Sequence, residues 1–575
     1  MTSDERSWKF DRPVIFLGEW CRHHDRKHIW SKMDAIVAEP YAIKPEEKEM
    51  GRELVVSLYN DIINELAIAM NQVHGTNHST RYWNILLGPW LNIYIKMIIN
   101  RYGALETVLN NYEISGVSVI EPDSYQLPVK SFLDFLLCLD DGSWNLALYS
   151  KILEYKGYYG LNVDYITGES TSFPCRNTSE KGVKPMLVSF LRKILSLFSR
   201  QDDAFIIRSY LSFKSEVLLQ IMLGQVPQLW KSPELIDVPV DSSIRSKFSV
   251  SYVDHSDIYL YSRKLISEIV PVCYLEGYRQ LVKKVKELDW PQNPKFIFTS
   301  NSFFLDEVFK VWTGMMVEKK VPYYTGQHGA NYGTLYGFNI WTEFSTCDKF
   351  FSWGWELPLS TTEVIPAFNL KVANKKKRKS TTNDGLLLIE RSPGRRDGPH
   401  DRYYEHILYQ DYVFQFFRAL PGAIQNKTLV RLHHGSSELC ASDENLWKEK
   451  FPHIQIDLGF SSINKLISKN RLIVHAYESA GILETLALNI PTIAFWREGF
   501  DHIIPSARPY YELLVSVGII AKSPEEAADH IEKYWDDIDK WWYSDSVQEV
   551  RKTFCDQYSR IIDHPIWTLK NLLTS

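Results

Sequence analysis

Short apolar runs alternate with amphipathic segments along the second half of the chain. Apolar runs bounded by turn residues predict buried strands, whereas apolar residues that recur every three or four positions predict helices. The predicted strands span 385–390, 428–433, 454–457, 472–476 and 491–496, and the predicted helices span 403–419, 462–469, 481–488 and 524–535. Near-continuous apolar strands separated by helices indicate a parallel sheet that is covered on both faces, and hence a Rossmann-like domain.

The first half shows the same alternation over a shorter stretch. Strands are predicted at 14–17, 295–300, 321–325 and 349–353, with a helix at 304–319. Helical periodicity dominates two longer stretches, 46–112 and 131–157, and the less regular, turn-containing stretch 158–290 is interpreted as a helical insertion. The sequence therefore predicts an α/β protein of two Rossmann-like domains facing a cleft, with helical insertions in the N-terminal domain.

Domain boundaries follow from a change in composition. Residues 372–384 are charged and rich in Ser, Thr and Asn, and they interrupt the strand and helix pattern, which is typical of a linker. We expect an N-terminal domain at 1–371, a C-terminal domain at 385–545, and a helix at 546–575 that packs back on the first domain. A chain of 575 residues is also longer than one hydrophobic core usually supports.

Charge and cysteine content narrow the classes of function. The net charge of -5 and the pI of about 6.4 argue against nucleic-acid binding. The seven cysteines are scattered without a CxxC pair, and the N-terminus lacks the apolar core of a signal peptide, so we expect a cytoplasmic protein. The basic run 375–379 would attract anionic lipid and leaves peripheral membrane association open, although a solvated linker explains it more simply.

Segment 471–496 carries a candidate anion site. Its predicted strand is followed by a loop with Glu478, Ser479 and Gly481, and then by a helix whose free N–H groups favour phosphate. Glu484 lies about one and a half helical turns beyond Ser479, where its carboxylate could accept hydrogen bonds from ribose hydroxyls. An ordinary strand–helix unit with Ser479 as the helix cap explains the same residues.

A glycine-flanked turn carries a candidate catalytic group. Gly326 and Gly329 enclose Gln327 and His328 at the carboxyl end of the predicted strand 321–325, where α/β proteins bind ligands. We expect His328 to face the cleft, with Gln327 and Gly329 beside it, and to exchange a proton or stabilise anionic charge. A histidine that is hydrogen-bonded inside the turn is the alternative.

Five motifs occur in an order that resembles a known family: FLGEWC, RYWNILLGPWL, GQHGANYG, FSWGW and ESAGILETLALNIPTIAFW. They are similar to transferases encoded in bacterial O-antigen and surface-carbohydrate clusters, and the last motif resembles the donor side of GT-B glycosyltransferases. The resemblance implies a nucleotide-sugar-dependent glycosyltransferase that needs no metal and no cofactor. The QHG turn resembles that of transferases using CMP-linked 3-deoxyulosonic acids, which implies Kdo or a nonulosonate as the sugar and a surface-polysaccharide or lipopolysaccharide glycan, free or lipid-linked, as the acceptor.

Transfer to a hydroxyl by direct displacement needs a group that takes the hydroxyl proton. Glu19 follows the predicted strand 14–17, which makes it a candidate base, with Asp25 as the second. A salt-bridged loop carboxylate is the plainer interpretation of Glu19. The sequence leaves open whether His328 or Glu19 is the base.

Cationic residues end two consecutive strands predicted for the second domain. Arg391 and Ser392 follow the first strand. Arg431 and His433 lie at the end of the second. Two cationic loops at neighbouring strand ends favour an anionic ligand, which here would be the donor. Arg81 precedes an apolar helix and is expected on the acceptor side of the cleft, although its neighbours could simply cap that helix.

Three alternatives remain open. A glycerophosphate or polyol-phosphate transferase with a CDP-linked donor would use the same cationic loops, and product mass separates it from a glycosyltransferase. A non-catalytic binding protein of polysaccharide assembly would tolerate loss of His328 and Glu19. An epimerase acting on a nucleotide sugar would form its product without an acceptor.

Overall fold

The computed structural model describes residues 1–122, 124–157, 160–168, 192, 195–250, 257–358, 360–378, 383–392, 396–433 and 438–575. Its strands are β1 (Val14–Phe16), β2 (Ala35–Val37), β3 (Gly116–Ile120), β4 (Asn162–Ile166), β5 (Phe205–Ile207), β6 (Ile297–Thr299), β7 (Tyr323–Gly326), β8 (Lys349–Ser352), β9 (Glu363–Pro366), β10 (Gly385–Ile389), β11 (Thr428–Arg431), β12 (Gln455–Asp457), β13 (Asn470–His475), β14 (Thr492–Phe495) and β15 (Ile520–Ala521).

Helices fill the segments between these strands. The helices of eight or more residues are Pro45–His74, Thr80–Asn111, Gly142–Lys156, Phe213–Met222, Asp257–Lys264, Tyr278–Lys286, Glu307–Glu318, Arg402–Ala419, Glu438–Lys450, Ala480–Ala487, Arg508–Ser516, Pro524–Tyr534, Asp545–Tyr558 and Pro565–Thr574. Shorter helices lie at Lys27–Trp30, Phe132–Cys138, Ser242–Arg245, Ile266–Ile269, Ser302–Leu305, Thr342–Ser345, Gly422–Gln425, Ile463–Lys469 and Ile538–Trp542. Within the described residues, no helix is both long and apolar enough to cross a lipid bilayer.

The second half of the chain forms a six-stranded parallel sheet. Its strand order is β12-β11-β10-β13-β14-β15, which is the order 3-2-1-4-5-6 of a doubly wound Rossmann sheet. The order reverses between β10 and β13, and such a switch point opens a crevice at the carboxyl ends of the two strands. The predicted Rossmann-like domain is confirmed.

Both faces of this sheet are buried, as the continuous apolar strands predict. Leu387 and Ile389 of β10 pack towards the Ile463–Lys469 helix, through its residue Leu466. Leu386 and Leu388 point to the other face, where the apolar side of the Arg402–Ala419 helix belongs to the same core. Alternate side chains of a strand point to opposite faces, so an all-apolar run needs helices on both.

The first half contains a five-stranded parallel sheet with the sequential order β5-β6-β7-β8-β9. Its first strand, β5, comes from segment 158–290, which was predicted to be a helical insertion. A three-residue apolar run inside a turn-rich segment does not distinguish a strand from a turn of helix, which explains the difference. The α/β class with two Rossmann-like domains facing each other is confirmed.

The prediction that β1 opens the first-domain sheet is wrong. The strand forms where expected, but β1 pairs only with β2 in a separate two-stranded parallel sheet of the described chain. The turn that follows packs on the second domain, because the Trp20 ring covers the Arg396 guanidinium at 3.3 Å from ring centre to Cζ. A local hydrophobic pattern fixes a strand but not its partner, which lies far away in sequence.

The chain passes between the domains twice. After β9 it runs to β10 through the basic segment, whose residues 379–382 lie outside the described part of the chain. Arg378 docks on the second domain, because its backbone N–H donates to Leu488 O at 2.8 Å and its guanidinium donates to Asn470 O at 2.9 Å. The chain returns after Tyr558, where Arg560 N–H donates to Trp353 O at 2.8 Å.

Candidate functional site

Three side chains meet at the switch point of the second sheet. Arg391 lies two residues beyond the end of β10, Arg431 ends β11, and Tyr477 lies two residues beyond the end of β13. The strands are in register here, since Ile389 pairs with both Arg431 and His475. Burial raises the pKa of Tyr477, and a Ser479 hydrogen bond and the charges of Arg431 and Arg391 oppose that rise, so both arginines lie near Tyr477.

The two arginines have few partners of their own. The Arg391 guanidinium stacks over the Tyr409 ring at 4.3 Å, and burial lowers its pKa. The shielded Nε atoms of Arg391 and Arg431 have no hydrogen-bond partner in the described part of the chain. The nearest carboxylate to Arg431 is Asp457, whose Oδ1 lies 3.8 Å from Nε. A guanidinium held in this way is a ready partner for phosphate or carboxylate.

The Ala480–Ala487 helix begins beside these arginines. Ser479 is its N-cap residue, but within the described residues its hydroxyl makes no capping bond and lies 3.2 Å from His475 Nδ1. Gly481 must stay small, because a Cβ there would lie 2.6 Å from His475 Cε1. The first N–H groups of the helix therefore lack a side-chain cap, and the positive end of the helix dipole faces the switch point.

Glu478 braces the loop before this helix. Its Oε1 accepts a hydrogen bond from Tyr511 at 2.6 Å, and its Oε2 lies 2.7 Å from His502 Nε2. A carboxylate engaged on both oxygens positions the loop, so we assign Glu478 no direct contact with a donor.

The Gln327–His328 turn of the first domain approaches the start of the same helix. A Cβ placed on Gly329 would lie 4.0 Å from Ala480 Cβ. Further along the loop, Thr334 O accepts a hydrogen bond from Ile504 N–H at 2.8 Å. The carboxyl edge of β7 therefore lies across the cleft from the start of the Ala480–Ala487 helix.

Gln327 fixes this turn from inside. Its Oε1 accepts hydrogen bonds from Trp353 N–H at 2.9 Å and Trp355 Nε1 at 2.8 Å, and its Nε2 donates to Gly329 O at 2.8 Å. The side chain is 1% exposed. Gln327 therefore shapes the turn and the WGW segment, and leaves His328 as the group that faces the cleft.

His328 sits in an aromatic pocket with one polar partner. Its Nδ1 lies 2.7 Å from the Tyr332 hydroxyl, and its ring is 5.6 Å from Phe303 and 6.2 Å from Tyr210. Burial, assisted by the charge of Lys371, lowers the pKa of His328 to about 4. The imidazole is therefore neutral at neutral pH and can accept a proton.

Glu484 pairs with the first domain. Its Oε1 lies 3.2 Å from Lys371 Nζ, and the same ammonium lies 4.9 Å from the Tyr210 ring centre. The sequence placed Glu484 towards a ribose, whereas in the structure its carboxylate pairs with Lys371 of the first domain.

Glu19 and Asp25 lie apart from the first-domain sheet. The loop that carries them follows β1, which does not belong to that sheet. Glu19 forms a bidentate pair with Arg22, with both oxygens 2.7 Å from Nη2. Asp25 is exposed, 4.0 Å from Arg26 Nε. Neither carboxylate is brought to the His328 turn by a strand end, so the argument that favoured them as catalytic bases no longer holds.

Arg81 lies at the wrong edge for the expected acceptor contact. Its Nε donates to Thr346 O and its Nη2 pairs with Asp348 Oδ1, both at 2.9 Å. These two residues precede β8, whereas the cleft is lined by the residues that follow the strands. Arg81 therefore ties the Thr80–Asn111 helix to the amino edge of the sheet.

The remaining candidates lie at the ends of the described loops. Ser392 is half-buried next to Arg391, and His433 is exposed two residues beyond β11. The rest of both cationic motifs, residues 393–395 and 434–437, lies outside the described residues.

Sequence reasoning missed the partners of the predicted groups. These are Tyr332 and Glu343 behind His328, Tyr210 and Lys371 beside it, and Tyr409 under Arg391. Tyr332 belongs to the quoted GQHGANYG motif, so its distance of four residues from His328 was a usable signal. The sequence around the other four residues gives no such signal, because they come from elements remote in the chain.

The described fold and site define a class: an α/β protein with two Rossmann-like domains, in which Arg391, Arg431 and a helix start meet at a switch point. A family model, described as the LIC12162 family transferase, matches residues 1–573. The chain therefore belongs to the LIC12162 family of transferases. No curated protein matches the sequence significantly.

Solved structures with this architecture are only distantly similar. MurG of Acinetobacter baumannii is 12% identical, with 52% of this chain and 77% of that chain covered and a TM-score of 0.27. S. aureus MnaA, solved with UDP, is 12% identical, with 65% and 98% covered and a TM-score of 0.36. The pneumococcal O-GlcNAc transferase GtfA, solved with UDP and GlcNAc, is 10% identical, with 51% and 59% covered and a TM-score of 0.30. Similarity of this size does not extend to function.

Proposed function

We propose that this transferase is a glycosyltransferase that binds a nucleotide sugar at the switch point of the second sheet. One observation carries the proposal: no hydrogen bond or ion pair from the described residues reaches the Arg391 guanidinium, whose Nε is shielded from water. Leaving this shielded N–H without a hydrogen-bond acceptor is unfavourable, and a bound anion would supply the acceptor. Arg431 and the uncapped helix start beside it would share the same phosphate groups.

The preferred donor is a CMP-linked 3-deoxyulosonic acid such as Kdo or a nonulosonate. Such a donor carries one phosphate and one carboxylate, and Arg391 and Arg431 supply two guanidinium groups. His328, across the cleft, would take the proton of the acceptor hydroxyl. Departure of the nucleotide would be assisted by the arginines and the helix dipole, without a bound metal.

The acceptor we propose is a surface-polysaccharide or lipopolysaccharide glycan. A lipid-linked glycan would bring the protein to the inner face of the cytoplasmic membrane. Lys375, Lys376 and Lys377 are exposed where the chain passes between the domains, and their charge would favour anionic lipid.

Nucleotide binding by Arg391→Ala tests the donor site. Binding of CMP, CDP, UDP and their sugars is measured by calorimetry with the wild type and the variant. Because a hydrogen bond to a charged group contributes about 1.5–3 kcal/mol, we expect the variant to lose about 10- to 150-fold in affinity for the preferred nucleotide.

Arg471→Ala is the matched control. Arg471 also stacks on an aromatic ring, 4.2 Å from Trp535, but it lies at the amino end of β13. Its loss should leave nucleotide affinity unchanged. Equal affinity of wild type and Arg391→Ala would refute the donor site, and transfer of glycerophosphate from a CDP-linked donor, seen in product mass, would replace the glycosyltransferase assignment.

A further inference from the structure

A chain of hydrogen bonds runs from His328 into the core of the first domain. The Tyr332 hydroxyl lies 2.7 Å from His328 Nδ1 and donates to Glu343 Oε1 at 2.5 Å. Tyr332 is 2% exposed and Glu343 is 8% exposed. The three residues come from the turn after β7 and the Thr342–Ser345 helix. Such a buried polar chain is unfavourable unless every member is satisfied.

The direction of the chain follows from the bond between Tyr332 and Glu343, in which the Tyr332 hydroxyl donates to Oε1. Burial raises the pKa of Glu343, and the Tyr332 hydrogen bond and the charge of Lys96 oppose that rise. Burial also lowers the pKa of Lys96, to about 8. Oε1 of Glu343 can accept the Tyr332 hydrogen whether or not the other carboxyl oxygen carries a proton.

Donation to Glu343 Oε1 sets the protons of the other two groups. The Tyr332 hydroxyl has one hydrogen, and Oε1 accepts it in a hydrogen bond. The Tyr332 oxygen can then only accept from His328, so Nδ1 must carry the imidazole proton and Nε2 keeps its lone pair. Nε2 has no hydrogen-bond partner in the described chain.

We propose that Tyr332 and Glu343 are positioning residues that hold His328 in the tautomer protonated on Nδ1, so that Nε2 is the base of the transfer reaction. This inference rests on the proposed glycosyltransferase function. It selects His328 over Glu19, whose two oxygens are already engaged by Arg22.

The proposed transfer is a direct displacement at the anomeric carbon. The acceptor oxygen forms a bond to the anomeric carbon, and its proton passes to His328 Nε2. The bond between the anomeric carbon and the phosphate oxygen breaks, and its electron pair leaves with the nucleotide. The imidazolium that forms keeps its Nδ1 hydrogen bond to Tyr332, whose hydroxyl is fixed by Glu343, as a further side chain orients the histidine of a catalytic triad.

Several other titratable groups face this chain. Lys371 approaches His328 from the turn Leu370–Val372, and Tyr210 approaches from the loop after β5. Glu484 of the second domain forms an ion pair with Lys371. Removal of Tyr332 alone leaves these three groups in place, so its effect can be separated from theirs.

Nitrogen NMR of histidine-labelled protein reads the tautomer without any ligand. The His328 signals are assigned by their loss in His328→Gln. We expect the wild type to show a protonated Nδ1 and an unprotonated Nε2 at pH 7, and Tyr332→Phe to shift the population towards protonated Nε2, the form that free imidazole side chains favour. A wild type protonated on Nε2 overturns the proposal.

Kinetics of the same variants supply the second readout. Because a general base contributes about 10²- to 10⁴-fold, we expect His328→Gln to lower kcat by that factor, and Tyr332→Phe and Glu343→Gln to lower kcat at least about tenfold with unchanged nucleotide affinity. An unchanged kcat in both positioning variants contradicts the inference.

Tyr274→Phe is the matched control. Tyr274 also donates to a buried carboxyl of the first domain, Glu307, at 2.6 Å, and within the described residues it makes no hydrogen bond or ring contact with His328. Tyr274→Phe should alter neither the His328 tautomer nor kcat. If it changes either one, the effect of Tyr332→Phe is explained by general destabilisation of the domain. Failure of nucleotide binding would remove the proposed function while the tautomer measurement still stands.

Discussion

Glu390 shows how burial changes the charge of a single residue next to the anion site. It follows β10 directly and is 4% exposed, and its Oε1 accepts a hydrogen bond from Trp447 Nε1 at 2.8 Å. Burial, together with the negative charge of Asp443, raises the pKa of Glu390 to about 8. The carboxyl is therefore mostly neutral at pH 7, which leaves the positive charge of neighbouring Arg391 available to a ligand.

We expect Glu390→Gln to gain stability over the wild type as the pH rises. An unfolded glutamate ionises near 4.5, whereas folded Glu390 ionises near 8, so the wild type loses stability between these values, by at most about 1.4 kcal/mol per pH unit. Glutamine keeps an acceptor for Trp447 and has no proton to lose. Urea unfolding of both proteins from pH 5 to 9 measures the difference.

Exposed Glu549 gives the control, since Glu549→Gln should change the free energy of unfolding by the same small amount at every pH. A difference between Glu390→Gln and the wild type that does not vary with pH would contradict the raised pKa.

The sequence predicted which residues stand at strand ends, but not what surrounds them. Arg391, Arg431 and His328 could be named because a strand end is a local feature of the pattern. Glu343, which contacts His328 through Tyr332, comes from a separate short helix. Contacts between residues of remote elements depend on tertiary packing, which the local pattern of a single sequence does not reveal.

At the scale of elements, five of the six second-domain strands were predicted to within about two residues, because each is a continuous apolar run, whereas the two-residue strand β15 was not predicted. The strand predicted at 385–390 is observed at Gly385–Ile389, and the one at 491–496 at Thr492–Phe495. The helix predicted over 304–319 breaks at Asp306, which caps the Glu307–Glu318 helix by accepting from Phe309 N–H. Apolar periodicity continues across such a break, so the pattern could not reveal it.

Two glycines inside helices test how closely these elements pack. Gly314 lies in the Glu307–Glu318 helix, where a Cβ would be 2.7 Å from a ring carbon of Tyr82. Tyr82 is fully buried and stacks on His78 at 3.8 Å, so it cannot give way. In the Pro45–His74 helix, a Cβ on Gly51 would be 3.7 Å from Pro399, which is an ordinary contact.

The same substitution should therefore have opposite effects at the two positions. Gly314→Ala forces two packed helices apart and should destabilise the protein by about 1–3 kcal/mol. Gly51→Ala gains helix propensity without a clash and should stabilise it by about 0.5–1 kcal/mol. Chemical denaturation compares them, and a stabilising Gly314→Ala would show that the helices are not in close contact.

At the scale of the whole molecule, the Pro565–Thr574 helix belongs to the core of the first domain. Its residues Ile566, Leu569 and Leu573 pack with Phe298 and Phe351 of the five-stranded sheet. Leu569 is fully buried. Along the chain, the whole second domain lies between the strands of that sheet and this helix.

Leu569→Ala should destabilise the first domain by about 2–5 kcal/mol, because it leaves a cavity between the helix and the sheet. Trp567, two residues earlier, is 60% exposed, and Trp567→Ala should cost little. Thermal unfolding of both variants checks the difference. Equal melting temperatures of Leu569→Ala and Trp567→Ala would show that the helix does not belong to that core.

The return of the chain also fixes an order of events during synthesis. The ribosome makes residues 565–574 after every strand of both sheets, so this helix is the last part to join the core that contains Phe298. The second domain has all of its own strands earlier. Translation therefore completes the strands of the second domain while the domain that carries His328 still waits for its last helix.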